Sequence, residues 1–248
     1  MTGRLRSSLR RVLPGCLVGL LVAGCLPTSV TDQGRVVNDL WTVFLVPAIA
    51  VAAVVWGLVT VAILRFRRRA STPSEPPPQV AGHTGLEVVW TVIPIAIVAV
   101  LFFLTVGAVN RIYGRTDGGI DVDVTAFRWQ WQIVYPSDGV TVVGLPDVPA
   151  EMVVPVGEPV HVTLTSPDVI HSFYVPVFLF KRDAIPGRPN TFEFTVEEEG
   201  TYRGQCAEFC GVNHDRMTFA VKAVPRADYE TWLAAQRAGA GASPGSAP

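Results

Sequence analysis

Two uncharged apolar runs constrain this chain more than anything else in it. They cover residues 41–64 and 88–109, about 24 and 22 residues, and each is long enough to cross a hydrocarbon core of about 30 Å as a helix. A soluble fold would have to bury both as core helices, which soluble domains of this size rarely do. The composition of 49% hydrophobic and only 17% charged residues points the same way. Two membrane spans are therefore expected. Arg65, Arg67, Arg68 and Arg69 close the first run and place its C-terminal end in the cytoplasm, so both termini lie outside. The connection 65–87 contains Pro76, Pro77 and Pro78 and reads as a loop. Pro47 and Pro94 fall inside the spans, where neighbouring helices can satisfy the carbonyls they free.

Residues 1–24 read as a secretory signal, with Arg4, Arg6, Arg10 and Arg11 ahead of an apolar stretch at 16–23. Val22-Ala23-Gly24-Cys25 resembles the lipobox of bacterial lipoproteins. Cys25 is then the expected lipidation site and the first mature residue, and 25–40 an external lead-in. The alternative is an ordinary signal peptide or an uncleaved anchor in which Cys25 is incidental.

From about Ile120 onward the pattern changes to short alternating segments at 121–127, 129–134, 140–143, 151–154, 160–165, 191–196 and 217–224. Period two means half-buried strands, and Pro136-Ser-Asp-Gly139 and Pro186-Gly187 mark turns between them. Many short strands at this spacing predict an all-β Greek-key sandwich over 115–225. Residues 226–238 read as a short helix with Tyr229, Trp232 and Leu233 on one face, followed by a disordered tail to residue 248.

Within the last predicted strands lies Cys206-Ala-Glu208-Phe-Cys210-Gly-Val-Asn-His214-Asp-Arg-Met217. Thiolate, imidazole and thioether are the ligands soft copper prefers, whereas a closed zinc site would use four Cys or His. A mononuclear blue-copper site needs one Cys, so the second can bridge a second metal. The competing reading is a Cys206–Cys210 disulfide, which has no use for His214 or Met217. A remaining ligand should come from elsewhere in the sandwich. His171 in Asp168-Val-Ile-His171-Ser172 is the candidate; His161 sits inside an alternating strand and reads as a structural or surface side chain.

With these parts in this order, the chain resembles cytochrome c oxidase subunit II: a two-helix hairpin, then a cupredoxin domain with the pattern C-x-E-x-C-x3-H-x2-M, preceded by Asp168-Val-Ile-His171-Ser172 and Asp183-Ala-Ile-Pro-Gly187-Arg188. The resemblance implies a binuclear copper-A centre bridged by Cys206 and Cys210. His171 and Met217 would complete one copper, and His214 and the backbone carbonyl of Glu208 the other. It also implies that the Glu208 side chain helps bind magnesium at the boundary with subunit I. In Phe127-Arg-Trp129-Gln-Trp131, Trp129 would accept electrons from cytochrome c; the family more often has Gln and Tyr where Arg128 and Gln130 stand. The alternative is that Trp129 and Trp131 are both sandwich core. Glu87, ahead of Trp90, would open a proton path into subunit I, and its bland counterpart is a solvated interfacial charge.

Implied partners are oxidase subunits I and III, a soluble or membrane-bound cytochrome c, and membrane lipid; nucleic acid is not expected. From residue 115 onward 17 acidic residues face 10 basic ones, which suits a basic donor protein, with Asp168 as a docking carboxylate. The implied setting is a bacterial cell membrane, with the copper domain on its outer face. A quinol oxidase subunit II would lack the copper ligands, and nitrous-oxide reductase would need a further domain. A lipid-anchored binding sandwich would need the disulfide. No Cys-x-x-Cys-His haem motif occurs.

Overall fold

The computed structural model describes residues 27–67, 79, 81–145 and 147–241. The signal at 1–24, Cys25, most of the connection 65–87 and the tail from 242 lie outside the described residues. Two long helices come first, α1 (Asp32–Arg65) and α2 (Thr84–Tyr113). Ten strands follow: β1 (Ile120–Phe127), β2 (Gln130–Tyr135), β3 (Val140–Val143), β4 (Ala150–Pro155), β5 (Pro159–Thr165), β6 (His171–Val175), β7 (Phe180–Ala184), β8 (Asn190–Thr195), β9 (Gly200–Cys206) and β10 (Thr218–Val224). A last helix, α3 (Arg226–Gly241), closes the described chain.

The helices outrun the apolar windows that announced them. At 34 and 30 residues they extend about 51 and 45 Å, well beyond a hydrocarbon core of about 30 Å. Both run continuously through Pro47 and Pro94. Their apolar faces are bare, with Trp56, Leu64 and Phe103 each about 70% exposed, as a membrane-facing surface requires. The N-terminal part of α1 was expected as a separate lead-in at 25–40, but it is helical from Asp32. Thr31 caps it by accepting from the Gly34 N–H at 3.1 Å.

The strands form two five-stranded sheets in the orders β3-β2-β1-β5-β8 and β4-β10-β9-β6-β7. Pairing is antiparallel except for β1 with β5 and β4 with β10. Aromatic side chains fill the space between the sheets. Phe173 stands at the centre, with Phe219 at 4.5 Å, Phe192 at 5.4 Å and Trp131 at 6.1 Å between ring centroids. Each such ring taken from water contributes roughly 1.5–3 kcal/mol. Gly204 lies opposite Phe219 in the β9–β10 register, and any Cβ there would come within 2.3 Å of that ring. At the far end of the sandwich α3 buries Tyr229 and Leu233 and sets Trp232 against Tyr135 at 5.2 Å.

Three strands escaped the sequence pattern: β6, β7 and β9, all in the second sheet. In β6, residues 171–173 are buried in succession, which erases period two. In β9 the inward positions at its end are Gly204 and Cys206 rather than large apolar residues. In β7, Lys181, Arg182 and Asp183 stand in a row. The expected strand 129–134 also shifts. Trp129 belongs to the turn before β2, so Trp129 and Trp131 do not share a role: Trp131 is 1% exposed and Trp129 half-buried.

Candidate metal centre

The second sheet delivers the cluster. His171 opens β6, Cys206 ends β9, and the loop between β9 and β10 carries Glu208, Cys210, His214 and Met217. Phe173 pairs with Cys206 in the β6–β9 register, which brings His171, two residues before Phe173, to the same end of the sheet as Cys206. The loop is tied back at both ends. Cys206 N–H donates to the Met217 carbonyl at 2.9 Å and Ala207 N–H to the Ser172 carbonyl at 3.1 Å. A 3-10 turn at His214–Arg216 folds the chain so that Met217 returns inward.

His171 and Met217 are fully buried, and Cys206 and Cys210 are 4% and 3% exposed. The Cys206 and Cys210 sulfurs lie 3.9 Å apart and both cysteines are free, against about 2.05 Å for a disulfide, so the competing disulfide is not formed. Cys206 Sγ is 3.9 Å from His171 Nδ1 and 3.2 Å from the Glu208 carbonyl oxygen. Cys210 Sγ is 3.5 Å from His214 Nδ1 and 3.8 Å from Met217 Sδ. One donor atom each from His171, Cys206 and Cys210 fall within 4.8 Å of one another. Six potential donors thus converge on one pocket.

The shell around them orients the ligands. Asp168 Oδ1 lies 2.9 Å from His171 Nε2, which turns Nδ1 toward the sulfurs, an arrangement typical of metal-bound histidine. The same carboxylate accepts from Val169 N–H at 2.6 Å and, through Oδ2, from Arg128 N–H at 2.8 Å. Burial would raise the Asp168 pKa, but the Arg128 backbone and His171 bonds outweigh it and hold the carboxyl well below the usual range. Burial likewise opposes the charged form of His171, and its bonds to Cys206 and Asp168 raise its pKa on balance. The two thiols are pushed apart. Burial alone would raise both; contacts with His171 and the backbone at Glu208 and Ser172 bring Cys206 down to about 7, while burial and the Cys206 charge push Cys210 up to about 12.

The sequence placed Asp168 at the surface for docking. Here it bonds inward, with its side chain only 20% exposed, and its position three residues before the candidate ligand His171 was the signal for that contact. Trp129 does reach the loop: its Nε1–H donates to the Cys210 carbonyl at 3.2 Å. The Glu208 side chain turns outward, 46% exposed and 3.8 Å from Lys181 Nζ. Glu87 is nowhere near the cluster; it lies in the first turn of α2, where its Oε1 accepts from His83 N–H at 3.3 Å. His161 is buried in β5, 2.9 Å from Glu193, and takes no part in the site.

Known proteins share this layout. Residues 21–106 match the family profile described as cytochrome C oxidase subunit II, transmembrane domain, and residues 139–224 that of its periplasmic domain. The probable cytochrome c oxidase subunit 2 of Streptomyces avermitilis is 34% identical, over 90% of this chain and 86% of the relative. That of Nocardia farcinica is 30% identical, over 90% of this chain and 79% of the relative. Among solved structures, the periplasmic domain of subunit II of the Bradyrhizobium japonicum cytochrome oxidase is 32% identical with a TM-score of 0.48, covering 52% of this chain and 99% of that one.

Proposed function

The chain belongs to the cytochrome c oxidase subunit II family, and from that membership we propose that its sandwich holds a binuclear copper-A centre that takes electrons from cytochrome c and passes them to haem in subunit I, where oxygen is reduced to water and protons are pumped. It is a membrane protein and a subunit of an oxidoreductase complex, and the oxygen chemistry lies outside this chain. The carrying observation is the donor cluster. Ligands about 2.0–2.3 Å from a shared tetrahedral metal stand about 3.3–3.8 Å from one another. The sulfur, imidazole and thioether spacings here are 3.5–3.9 Å, so the residues fit the group.

In this reading the Cys206 and Cys210 thiolates would hold both coppers, with His171 and Met217 completing the set for one and His214 and the Glu208 carbonyl for the other. When bound, such a pair would supply a one-electron carrier whose bonds change little on charging, which would suit fast transfer. The chain's part is to keep the donors still: Asp168 fixes the His171 ring, and the β6–β9 pairing fixes Cys206. Trp129 accepts the electron, one hydrogen bond from a ligand residue.

The outward-turned Glu208 side chain would supply a carboxylate to magnesium shared with subunit I. Glu87, exposed at the start of α2, opens the proton path. The sandwich and both termini lie outside the membrane, after a signal at 1–24 and lipidation at Cys25. Subunit III and membrane lipid complete the surroundings. Stopped-flow reduction of the purified oxidase by cytochrome c tests the relay. Copper should be reduced before haem, and Trp129→Ala should slow the first phase while leaving the second. Haem reduction at the wild-type rate in a copper-free Cys210→Ser variant would overturn it.

A further inference from the structure

A row of three titratable side chains crosses the outer face of the first sheet, apart from the metal cluster. The β1–β5 and β5–β8 registers set Asp121 beside His161 and His161 beside Glu193. Alternation along β8 sends Phe192 and Phe194 into the core and turns Glu193 and Thr195 outward, yet Glu193 is only 7% exposed. The segment that leaves α2 covers it and is stitched to every member of the row. Arg115 pairs with Asp121 at 3.3 Å. Thr116 donates its N–H and its hydroxyl to Glu193 at 3.0 and 2.7 Å. His161 lies 2.9 Å from Glu193 through Nδ1 and 2.7 Å from the Gly118 carbonyl through Nε2.

The other helix is fastened to the same strand. Thr195 N–H donates to Asp32 Oδ1 at 3.0 Å and to Gln33 Oε1 at 3.1 Å, both in the first turn of α1. Joining a helix to a strand needs no buried carboxylate, since a solvated loop suffices and a buried charge is costly unless paired. What these bonds do is resist rotation of the sandwich on the hairpin. The restraint continues to the ligands, because Phe192 packs on Phe173, which pairs with Cys206.

The geometry points to Glu193 as a positioning residue. Clamped between Thr116 and His161, it holds the metal-binding sandwich in one orientation on the membrane hairpin, so that transfer from the metal centre to an acceptor in the membrane depends on a carboxylate that touches neither. This rests on the electron relay proposed above. In the assembled oxidase, Glu193→Ala should speed hydrogen exchange at the Thr116 amide by about tenfold or more, the effect of losing a hydrogen bond to a charged group. It should leave copper content and spectrum unchanged, and slow the copper-to-haem phase by roughly tenfold, as small misplacements of reacting centres do. Thr116→Val, which leaves the sheet untouched, should show the same pattern at smaller size, and Glu193→Gln should recover much of the rate because it keeps an acceptor for Thr116. Faster exchange with an unchanged copper-to-haem phase would overturn the proposal. So would copper loss in step with the slowed phase, which would make Glu193 merely structural. Hydrogen exchange reads the clamp without metal, so a chain lacking copper would overturn the relay and leave the clamp measurable.

Discussion

The indole N–H of Trp129 donates to the backbone carbonyl of Cys210 at 3.2 Å, joining the β1–β2 turn to the loop between β9 and β10 across 81 positions of sequence. The residue after Cys210 makes room for this. Gly211 has φ of +121°, and a Cβ on it would lie 3.2 Å from the Trp129 ring. One loop conformation therefore serves both the ligand set and the seat of the indole.

Gly211→Ala should lower the stability of the metal-free chain by about 1–3 kcal/mol, because it strains the backbone and displaces the ring. Trp129→Phe removes one hydrogen bond and should cost about 1 kcal/mol. Thermal unfolding in detergent, with near-ultraviolet circular dichroism to follow the indole, checks both the order and the size.

Asp168→Asn should weaken copper binding by about 10–100-fold, the usual cost of losing the carboxylate behind a metal-bound histidine. Because the fold depresses the Asp168 pKa, the stability it contributes is present above the ordinary carboxylate pKa and is lost as pH falls below about 4. Stability curves of the metal-free wild type and Asp168→Asn should thus differ at neutral pH and converge in acid. Competition with a chelator measures the affinity.

How much of this was readable beforehand differs by element. The hairpin was plain, because uncharged runs of that length have few other uses. The first sheet was plain too, since its strands alternate with valine, isoleucine and phenylalanine. The sheet that builds the site was half hidden: His171, Gly204 and Cys206 occupy inward positions where a hydrophobic pattern expects large apolar residues. The candidate ligands were nonetheless visible as chemistry, because Cys, His and Met recur at short spacing. The inward contact of Asp168 was hidden because an acidic residue three positions before a histidine looks like surface charge until the His171 ring nitrogen is found against it. Glu193 offered no signal, since its burial depends on the segment before β1, which lies 77 positions away in sequence at Thr116.

The two thiols should titrate separately in the metal-free chain. Cys206, lowered to about 7, contributes stability that is fully present above the ordinary thiol value of 9.0 and lost as pH falls through about 7. Cys210, raised to about 12, acts in the opposite sense and costs stability as pH climbs past 9.0. Ultraviolet thiolate absorbance should show one step near neutrality, and Cys206→Ser should remove it.

Donor reduction of the oxidase should slow as ionic strength rises, because acidic residues outnumber basic ones 17 to 10 from residue 115 onward. Steering of this kind can change association rates by about 10-fold or more. Stopped-flow rates with a basic cytochrome c across a salt series test it, and a flat series would place recognition on apolar contacts instead.

Electron paramagnetic resonance of the copper-loaded full chain in detergent, compared with Cys206→Ser, bears most directly on the metal centre. The wild type should give a hyperfine pattern from one unpaired electron shared equally by two copper nuclei, and the variant should lose it. A signal confined to one copper, or a binuclear signal that survives Cys206→Ser, would contradict the ligand set.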